Sequence, residues 1–290
     1  PQRFLTRWRP FYLSQSQSPD AVIAQEFKGS RNKHEMLFCF AQIMLLRNGL
    51  ADRGREQRVA RNVAAVAGAY LLLCFLAPML LSEGTVPELS GRANALDYAS
   101  ESSWGNQNHG EDAKLGHDQP ARGTFAWSEL NPFWGFVYAF GDLNCHQKHE
   151  RSWEINGNQM PVCTRDIGIF LGLVIGAALF SLRGLNRWTV RDSFLSVFPD
   201  EMLEPLYLKD RRMAAMLLLI ALGLVPMGID GFTQLLTDYE STNPVRIITG
   251  FFSGMVIGWW FAAALCARAA FFEEDAAKVS LPANARLMMK

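Results

Sequence analysis

The sequence has no net charge, few histidines and cysteines, and no evident targeting segment. Its 28 Lys and Arg residues balance 28 Asp and Glu residues, so the chain lacks the excess of basic residues typical of nucleic-acid binding, and we expect no nucleic-acid partner. The N-terminal segment PQRFLTRWRP is basic, but no apolar core follows it, and we predict no cleavable signal peptide. The mean hydropathy of +0.03 would suit a soluble protein. That average is misleading, because the apolar residues are gathered in blocks.

Four uncharged apolar runs occur, at residues 62–82, 167–182, 213–229 and 247–267. About 20 helical residues cross a bilayer core of about 30 Å. The first and last runs are long enough, whereas the middle two are short and would need snorkelling ends or a locally thinner bilayer. Buried helices of a soluble protein are the alternative for those two. We predict an all-α integral membrane bundle of four transmembrane helices, with interfacial or re-entrant helices beside them.

The distribution of charge between the runs predicts an orientation. Arginines precede the first run and fill the connection between the second and third, whereas the connection between the first and second is acidic. By the positive-inside rule, both termini are cytoplasmic and the acidic connection lies outside the cell membrane. The runs contain no mid-span ionisable residue, which argues against transport through the bundle.

The predicted organisation has five parts. Residues 1–61 form a cytoplasmic arm whose apolar stretch 36–46 is an interfacial helix, and residues 62–82 form the first transmembrane helix. Residues 83–143 are an extracytoplasmic insertion, solvated as far as residue 121 and then an aromatic segment at the membrane interface. Residues 144–270 hold a Cys/His/Arg motif and a three-helix membrane core, and 271–290 are a cytoplasmic tail.

Two of the predicted spans carry glycine at every fourth residue. These are Gly168, Gly172 and Gly176 on the second span, and Gly250, Gly254 and Gly258 on the fourth. Small residues at this spacing form a groove that lets two helix backbones approach closely. Both helices run in the same direction, so we predict that the grooves pack in parallel. Their first turns would then bring Arg165, Asp166, Asn243 and Arg246 together, close to Asp230 and Gln234 at the end of the third span.

The cysteines divide into two groups. Cys39, Cys74 and Cys266 lie in apolar surroundings and are expected to be small core residues. Cys145 and Cys163 flank a polar segment, and we predict a disulfide between them, since an oxidising compartment would permit one. The alternative is a tetrahedral zinc site made by Cys145, His146, His149 and Cys163, although this spacing matches no common finger. We therefore assign no metal from the sequence, and the cofactor is unknown.

Several sequence blocks resemble a known family. They are CHQ at 145–147, RS at 151–152, GNQMPVCTRDIG at 157–168, MGIDGFTQ at 227–234 and STNPVRIITG at 241–250. Over residues 144–264 the chain is similar to the "domain of unknown function 2085" family of predicted multi-pass membrane proteins of archaea and bacteria. Phe170 stands where the family pattern has Tyr. The resemblance implies a membrane fold and a shared site, but no reaction.

These residues suggest a site for an anionic group. The planar guanidinium group of arginine can donate two parallel hydrogen bonds to a phosphate or carboxylate, and histidine or aspartate can donate or accept protons. The predicted ligand-binding residues are Arg151, Gln159, Arg165, Gln234, Asn243 and Arg246. The candidate catalytic residues, should there be phosphoryl or acyl chemistry, are His146, Asp166 and Asp230. The alternative is that the arginines and aspartates simply pair with one another.

The leading functional hypothesis is therefore a multi-pass membrane protein that binds an anionic group, such as a lipid head group, on its outer face. Whether it is an enzyme is left open. The competing hypothesis is an accessory subunit of a larger membrane complex, with membrane lipids and other membrane protein subunits as partners.

Overall fold

The computed structural model describes residues 53–91, 94–110 and 116–287. Most of the N-terminal arm, including the predicted interfacial helix at 36–46, lies outside the described residues. The α-helices in chain order are α1 (Gly54–Leu80), α2 (Gln119–Arg122), α3 (Pro132–Asn144), α4 (Thr164–Arg183), α5 (Val190–Leu195), α6 (Asp200–Leu208), α7 (Arg212–Leu236) and α8 (Asn243–Cys266). Two short antiparallel strands, β1 (Glu154–Ile155) and β2 (Asn158–Gln159), form a hairpin.

Four of these helices, α1, α4, α7 and α8, are long and apolar enough to cross a membrane. This confirms the predicted four-span all-α bundle. The middle spans are not as short as their uncharged runs implied: α4 has 20 residues and α7 has 25. Each extends into the polar sequence beside it, because α4 includes Arg165 and Asp166, and α7 continues past Asp230. No local thinning is needed to explain them.

The two glycine faces meet, as predicted. A Cβ added at Gly168, Gly172 or Gly176 would collide with the α8 backbone at Ile247, Phe251 and Met255 respectively. Additions at Gly250, Gly254 and Gly258 would collide with the carbonyl groups of Arg165, Ile169 and Leu173. Residue numbers rise together along both helices, so the pair is parallel. We call this contact the glycine seam, and it sets the first turns of α4 and α8 side by side.

The other two spans pack on either side of the glycine seam. Helix α1 lies mainly against α4 and also contacts α8, while α7 lies against α8. At the α7–α8 contact the Ser253 hydroxyl donates to the Gly223 carbonyl at 2.9 Å. The outward face of α7 exposes leucines 217, 218 and 222, as expected for a helix that faces lipid.

The connection between α1 and α4 is folded rather than simply solvated. Leu89, Tyr98 and Tyr138 are completely buried in a cluster that also contains Ala77 of α1. The Asp142 carboxylate accepts hydrogen bonds from the backbone N–H groups of Asp97 and Tyr98 and from the Trp127 indole. The expectation of a solvated insertion before residue 121 is therefore wrong for the described part of it, because its scattered apolar residues converge on the aromatic segment.

The aromatic segment itself forms α3. Asn131 caps it by accepting the Trp134 N–H at 3.1 Å, and Pro132 occupies the first turn, where no backbone N–H is required. With 13 residues this helix is too short to span. It buries Val137 and Tyr138 and exposes Phe133 and Phe136, the two-faced pattern expected of an interfacial helix.

The opposite end of the bundle has a core of its own. The Phe194 ring of α5 stacks on the Trp259 ring of α8 with centroids 4.0 Å apart, and the Trp259 indole donates to the Phe194 carbonyl. Asp192 is fully buried there, hydrogen-bonded to Tyr207 and paired with Arg191 and Arg212. Val279 and Leu281 from the C-terminal segment pack into the same cluster.

Candidate functional site

Three helix ends meet where the sequence predicted a site. The glycine seam brings together the first turns of α4 and α8, and the last turns of α7 reach the same level before a short loop, residues 237–242, leads into α8. One further segment reaches this end, namely the stretch between Cys145 and Cys163, which includes the turn containing Arg151. The polar residues here form the arginine network, which consists of Arg151, Arg165, Asp230, Gln234, Glu240, Ser241 and Arg246.

Asp230 is the inner anchor of the arginine network. Its side chain is buried, and it forms an ion pair with Arg165 of α4. The same carboxylate oxygen accepts from the Gln234 amide at 3.0 Å and from the Ser241 hydroxyl at 3.1 Å. Three donors from α4, α7 and the 237–242 loop thus converge on this carboxylate, which positions the Arg165 guanidinium.

Arg246 is the most deeply buried cation of the arginine network, with 1% of its surface exposed. Its Nη2 group donates to the Gln234 amide oxygen at 2.5 Å and to Glu240 Oε1 at 3.0 Å, and its Nε donates to the Ser241 carbonyl at 2.9 Å. The guanidinium is thus held by α7 and by the 237–242 loop before any ligand arrives.

Glu240 closes the arginine network on its solvent side. Arg151 donates two hydrogen bonds to this carboxylate, from Nε to Oε1 at 2.7 Å and from Nη2 to Oε2 at 3.0 Å. Partial burial raises the pKa of Glu240, but the hydrogen bonds and charge of Arg151 and the charge of Arg246 outweigh it and hold that pKa below its ordinary value. The Glu240 side chain is nevertheless 49% exposed.

Two of the three predicted amide ligands, Asn243 and Gln159, make contacts outside the arginine network. The Asn243 side-chain oxygen accepts from the Thr164 hydroxyl at 2.9 Å, which ties the starts of α8 and α4 together beside the arginine network. Gln159 is buried in the connection between α1 and α4. Its oxygen accepts from the Leu89 N–H and its nitrogen donates to the Gln147 carbonyl. These contacts place Gln159 in the packing of the connection, and neither of them is to an arginine.

Cys145, Cys163 and Asp166 form a second group, which we call the cysteine cluster. One ligand atom from each lies within 4.8 Å of the others. The predicted disulfide is not formed, since both cysteines carry free thiols. The Cys163 thiol donates to Asp166 Oδ2 at 3.3 Å, and Cys145 Sγ accepts from the backbone N–H of Cys163 at 3.1 Å. Burial, and then contact with Cys163, raises the pKa of the Cys145 thiol.

The two histidines of this segment separate. His146 is exposed at the edge of the cysteine cluster and interacts electrostatically with Asp166. His149 instead pairs with Glu88, with 3.4 Å between Nε2 and Oε1. The four-ligand zinc arrangement considered from the sequence is therefore not the one that the fold assembles.

Sequence reasoning missed Glu240, whose carboxylate joins Arg151 to Arg246. A usable signal was present: the loop between α7 and α8 is short, and Asp238 and Glu240 are its only acids. Any carboxylate in this loop must lie near the first turn of α8, where Arg246 stands.

Comparisons with known proteins match the part of the chain that contains these residues. The DUF2085 family, described as "Predicted membrane protein", matches residues 145–260, a range that contains both the arginine network and the cysteine cluster. An uncharacterized protein of Methanocaldococcus jannaschii is 33% identical over 134 residues, which cover 44% of this chain and 70% of that protein. An uncharacterized protein of Methanothermobacter thermautotrophicus is 35% identical over 111 residues, which cover 38% of this chain and 78% of that protein. No solved structure shows significant similarity.

Proposed function

The chain belongs to the DUF2085 family of predicted membrane proteins, and we propose that its arginine network binds the anionic head group of a membrane lipid. The arginine network stands at the ends of three spans, which is the level of lipid head groups in one leaflet. It contains three arginines, Arg151, Arg165 and Arg246, against two carboxylates, Asp230 and Glu240. A phosphate group would complement that imbalance.

The observation that carries the proposal is the position of Glu240. Its half-exposed carboxylate bridges a half-buried Arg151 and a fully buried Arg246. A carboxylate held in this way occupies the place that a phosphodiester would take. When lipid binds, Glu240 swings into solvent and the phosphate oxygens accept the hydrogen bonds of both guanidinium groups. Asp230 and Gln234 keep Arg165 and Arg246 in position during the exchange.

The test compares lipid binding by the full chain and its variants in mild detergent. Native mass spectrometry with added phosphatidylglycerol should detect one tightly bound lipid, whereas phosphatidylcholine should bind more weakly. Arg151→Ala removes a bidentate contact, and we expect the affinity to fall by about tenfold or more, since a hydrogen bond to a charged group is worth about 1.5–3 kcal/mol. Glu240→Gln removes the competing charge and should raise the affinity.

A matched control is available in the same connection. Arg122 forms an Arg–Glu pair with Glu88 at 2.5 Å outside the arginine network, so Arg122→Ala should leave lipid binding unchanged. The proposal fails if Arg151→Ala and Arg122→Ala bind phosphatidylglycerol alike, or if Glu240→Gln weakens binding as much as Arg151→Ala does.

A second candidate function is that of an accessory subunit, and one observation favours it. Helix α7 is the least buried of the four spans and presents a continuous apolar face, which a partner's transmembrane helix would fit as well as lipid does. Purification from native membranes in mild detergent should then yield a stoichiometric partner, and deletion of residues 1–33 should release partners held by the arm. Recovery of the full chain alone, with bound lipid, would exclude this candidate.

A further inference from the structure

The cysteine cluster lies beside the arginine network, but the proposed lipid site does not use it. We propose that Cys145, Cys163 and Asp166 bind a divalent transition-metal ion of the zinc class, with water in the fourth position. Two thiolates and a carboxylate are a donor set that favours zinc over magnesium or calcium. Three protein ligands with one open position are the arrangement of metal sites that bind a further ligand.

The spacing of the ligand atoms fits this metal. Tetrahedral zinc has bonds of about 2.3 Å to sulfur and about 2.0 Å to oxygen, so its ligand atoms are about 3.5–3.8 Å apart. The Cys163 Sγ and Asp166 Oδ2 atoms are 3.3 Å apart, and all three candidate ligand atoms lie within 4.8 Å of one another. Small side-chain rotations therefore suffice to complete the site.

Backbone donors point at the sulfur of Cys145. The N–H of Cys163 reaches it at 3.1 Å and the N–H of Gln147 at 3.4 Å. The second contact depends on a left-handed backbone at Gln147, where φ is +48°, a conformation uncommon for a residue other than glycine. Hydrogen bonds of this kind fix the orientation of a metal ligand.

Cys163 is placed at a favourable helix end. It is the N-cap of α4, and its side chain makes no capping hydrogen bond, so its sulfur is turned toward Asp166 instead. A helix N-terminus carries a partial positive charge, which favours negatively charged ligand atoms in general. Arg165 forms its ion pair with Asp230 and acts on Asp166 only through its charge. A bound divalent ion would offset the three acidic groups directly.

The experiment is a cobalt titration of the full chain, purified in mild detergent after reduction and removal of metal. We expect one Co²⁺ per chain, with a thiolate-to-cobalt charge-transfer band in the near ultraviolet and the strong visible bands of tetrahedral cobalt, all displaced by Zn²⁺. Cys163→Ser, at a partly exposed position, should lose most of the charge-transfer band and weaken binding by at least about tenfold. Asp166→Asn, which keeps both thiols, should weaken binding without abolishing that band.

Cys266→Ser is the matched control, because Cys266 is a buried free cysteine at the far end of α8. It should bind cobalt as the unaltered chain does. The proposal is overturned if the unaltered chain binds no cobalt, if its spectrum shows only octahedral oxygen coordination, or if Cys163→Ser binds as well as Cys266→Ser. Thiol counting that finds Cys145 and Cys163 joined by a disulfide in protein loaded with metal would overturn it equally. Phosphatidylglycerol binding is also measured for Cys163→Ser, so that a failure of the metal proposal can be distinguished from a failure of the lipid proposal.

Discussion

At the scale of single residues, Glu240 decides how the arginine network behaves. The charged groups that face it are Arg151 from the connection, Arg246 from α8 and, at longer range, Lys148. All three are cations, so they favour its carboxylate form and hold its pKa below the ordinary value of 4.5. The pairing is therefore complete at neutral pH and is lost only in acid.

This gives a prediction about pH. Because the folded pKa of Glu240 is depressed, the stabilisation from its pairing is fully present above the ordinary glutamate pKa and is lost as the pH falls through the lower, folded value. Protonation also frees Arg151 and Arg246, while a phosphodiester stays charged. We expect phosphatidylglycerol to bind more tightly as the pH is lowered below about 4.5, measured by native mass spectrometry or a pull-down on vesicles.

The variant Glu240→Gln provides the comparison for this prediction. It has no carboxyl group to titrate, so its lipid binding should already be strong at neutral pH and should not rise on acidification. An equal rise in both proteins would assign the pH dependence to another group and would contradict the role given to Glu240.

At the scale of secondary-structure elements, the glycine seam determines which side chains can meet. Backbone contact along α4 and α8 requires hydrogen atoms in place of side chains at six positions. The pattern of every fourth residue predicted this pairing, and the predicted order of the spans gave its parallel direction. Through it, the meeting of Arg165 with the α8 end was also predictable from the sequence.

A pair of identical substitutions tests the glycine seam. A Cβ at Gly172 would collide with the α8 backbone at Phe251 and Met255, whereas a Cβ at Gly228 of α7 would meet nothing within 4 Å. We expect Gly172→Ala to destabilise the protein by about 1–3 kcal/mol through overpacking. Gly228→Ala should be neutral or stabilising by up to about 1 kcal/mol, because alanine is the better helix former.

Thermal unfolding in detergent measures both variants. The Gly172→Ala protein should show a clearly lower Tm than Gly228→Ala. Equal Tm values would mean that α4 and α8 do not touch through their backbones in the folded protein.

At the scale of the whole molecule, the four-span bundle was predictable, but much of the site detail was not. Hydropathy locates apolar runs, and it underestimated α4 and α7 because their ends carry paired charges such as Arg165 and Asp230. The contact of Asp166 with two cysteines depends on how a long polar loop folds back on itself. Sequence periodicity does not predict the conformation of such a loop. The same holds for Gln159, whose partners Leu89 and Gln147 are distant in sequence.

The orientation of the bundle is a further prediction at this scale. The charge distribution places both termini in the cytoplasm and the α1–α4 connection outside. Single cysteines introduced at the exposed positions Ser100 and Glu204 lie in the two connections that should face opposite sides. With Cys163 replaced by Ser in both variants, an impermeant maleimide on intact cells should label Ser100→Cys and spare Glu204→Cys. The reverse labelling would invert the topology, and labelling of both would refute the four-span arrangement.

The glycine seam also limits how the protein can rearrange. At the glycine positions, carbonyl groups of one helix lie against the Cα atoms of the other. No layer of side chains that could repack separates α4 from α8 there, so we expect the two helices to move as a rigid pair. Helix α7 packs against this pair at the hydrogen bond between Gly223 and Ser253. Pro226, one turn before Asp230, lacks a backbone N–H and so interrupts the hydrogen bonding of α7. A rearrangement of the spans would therefore be a bend of α7 at this proline, while α4 with its Arg165 stays fixed against α8.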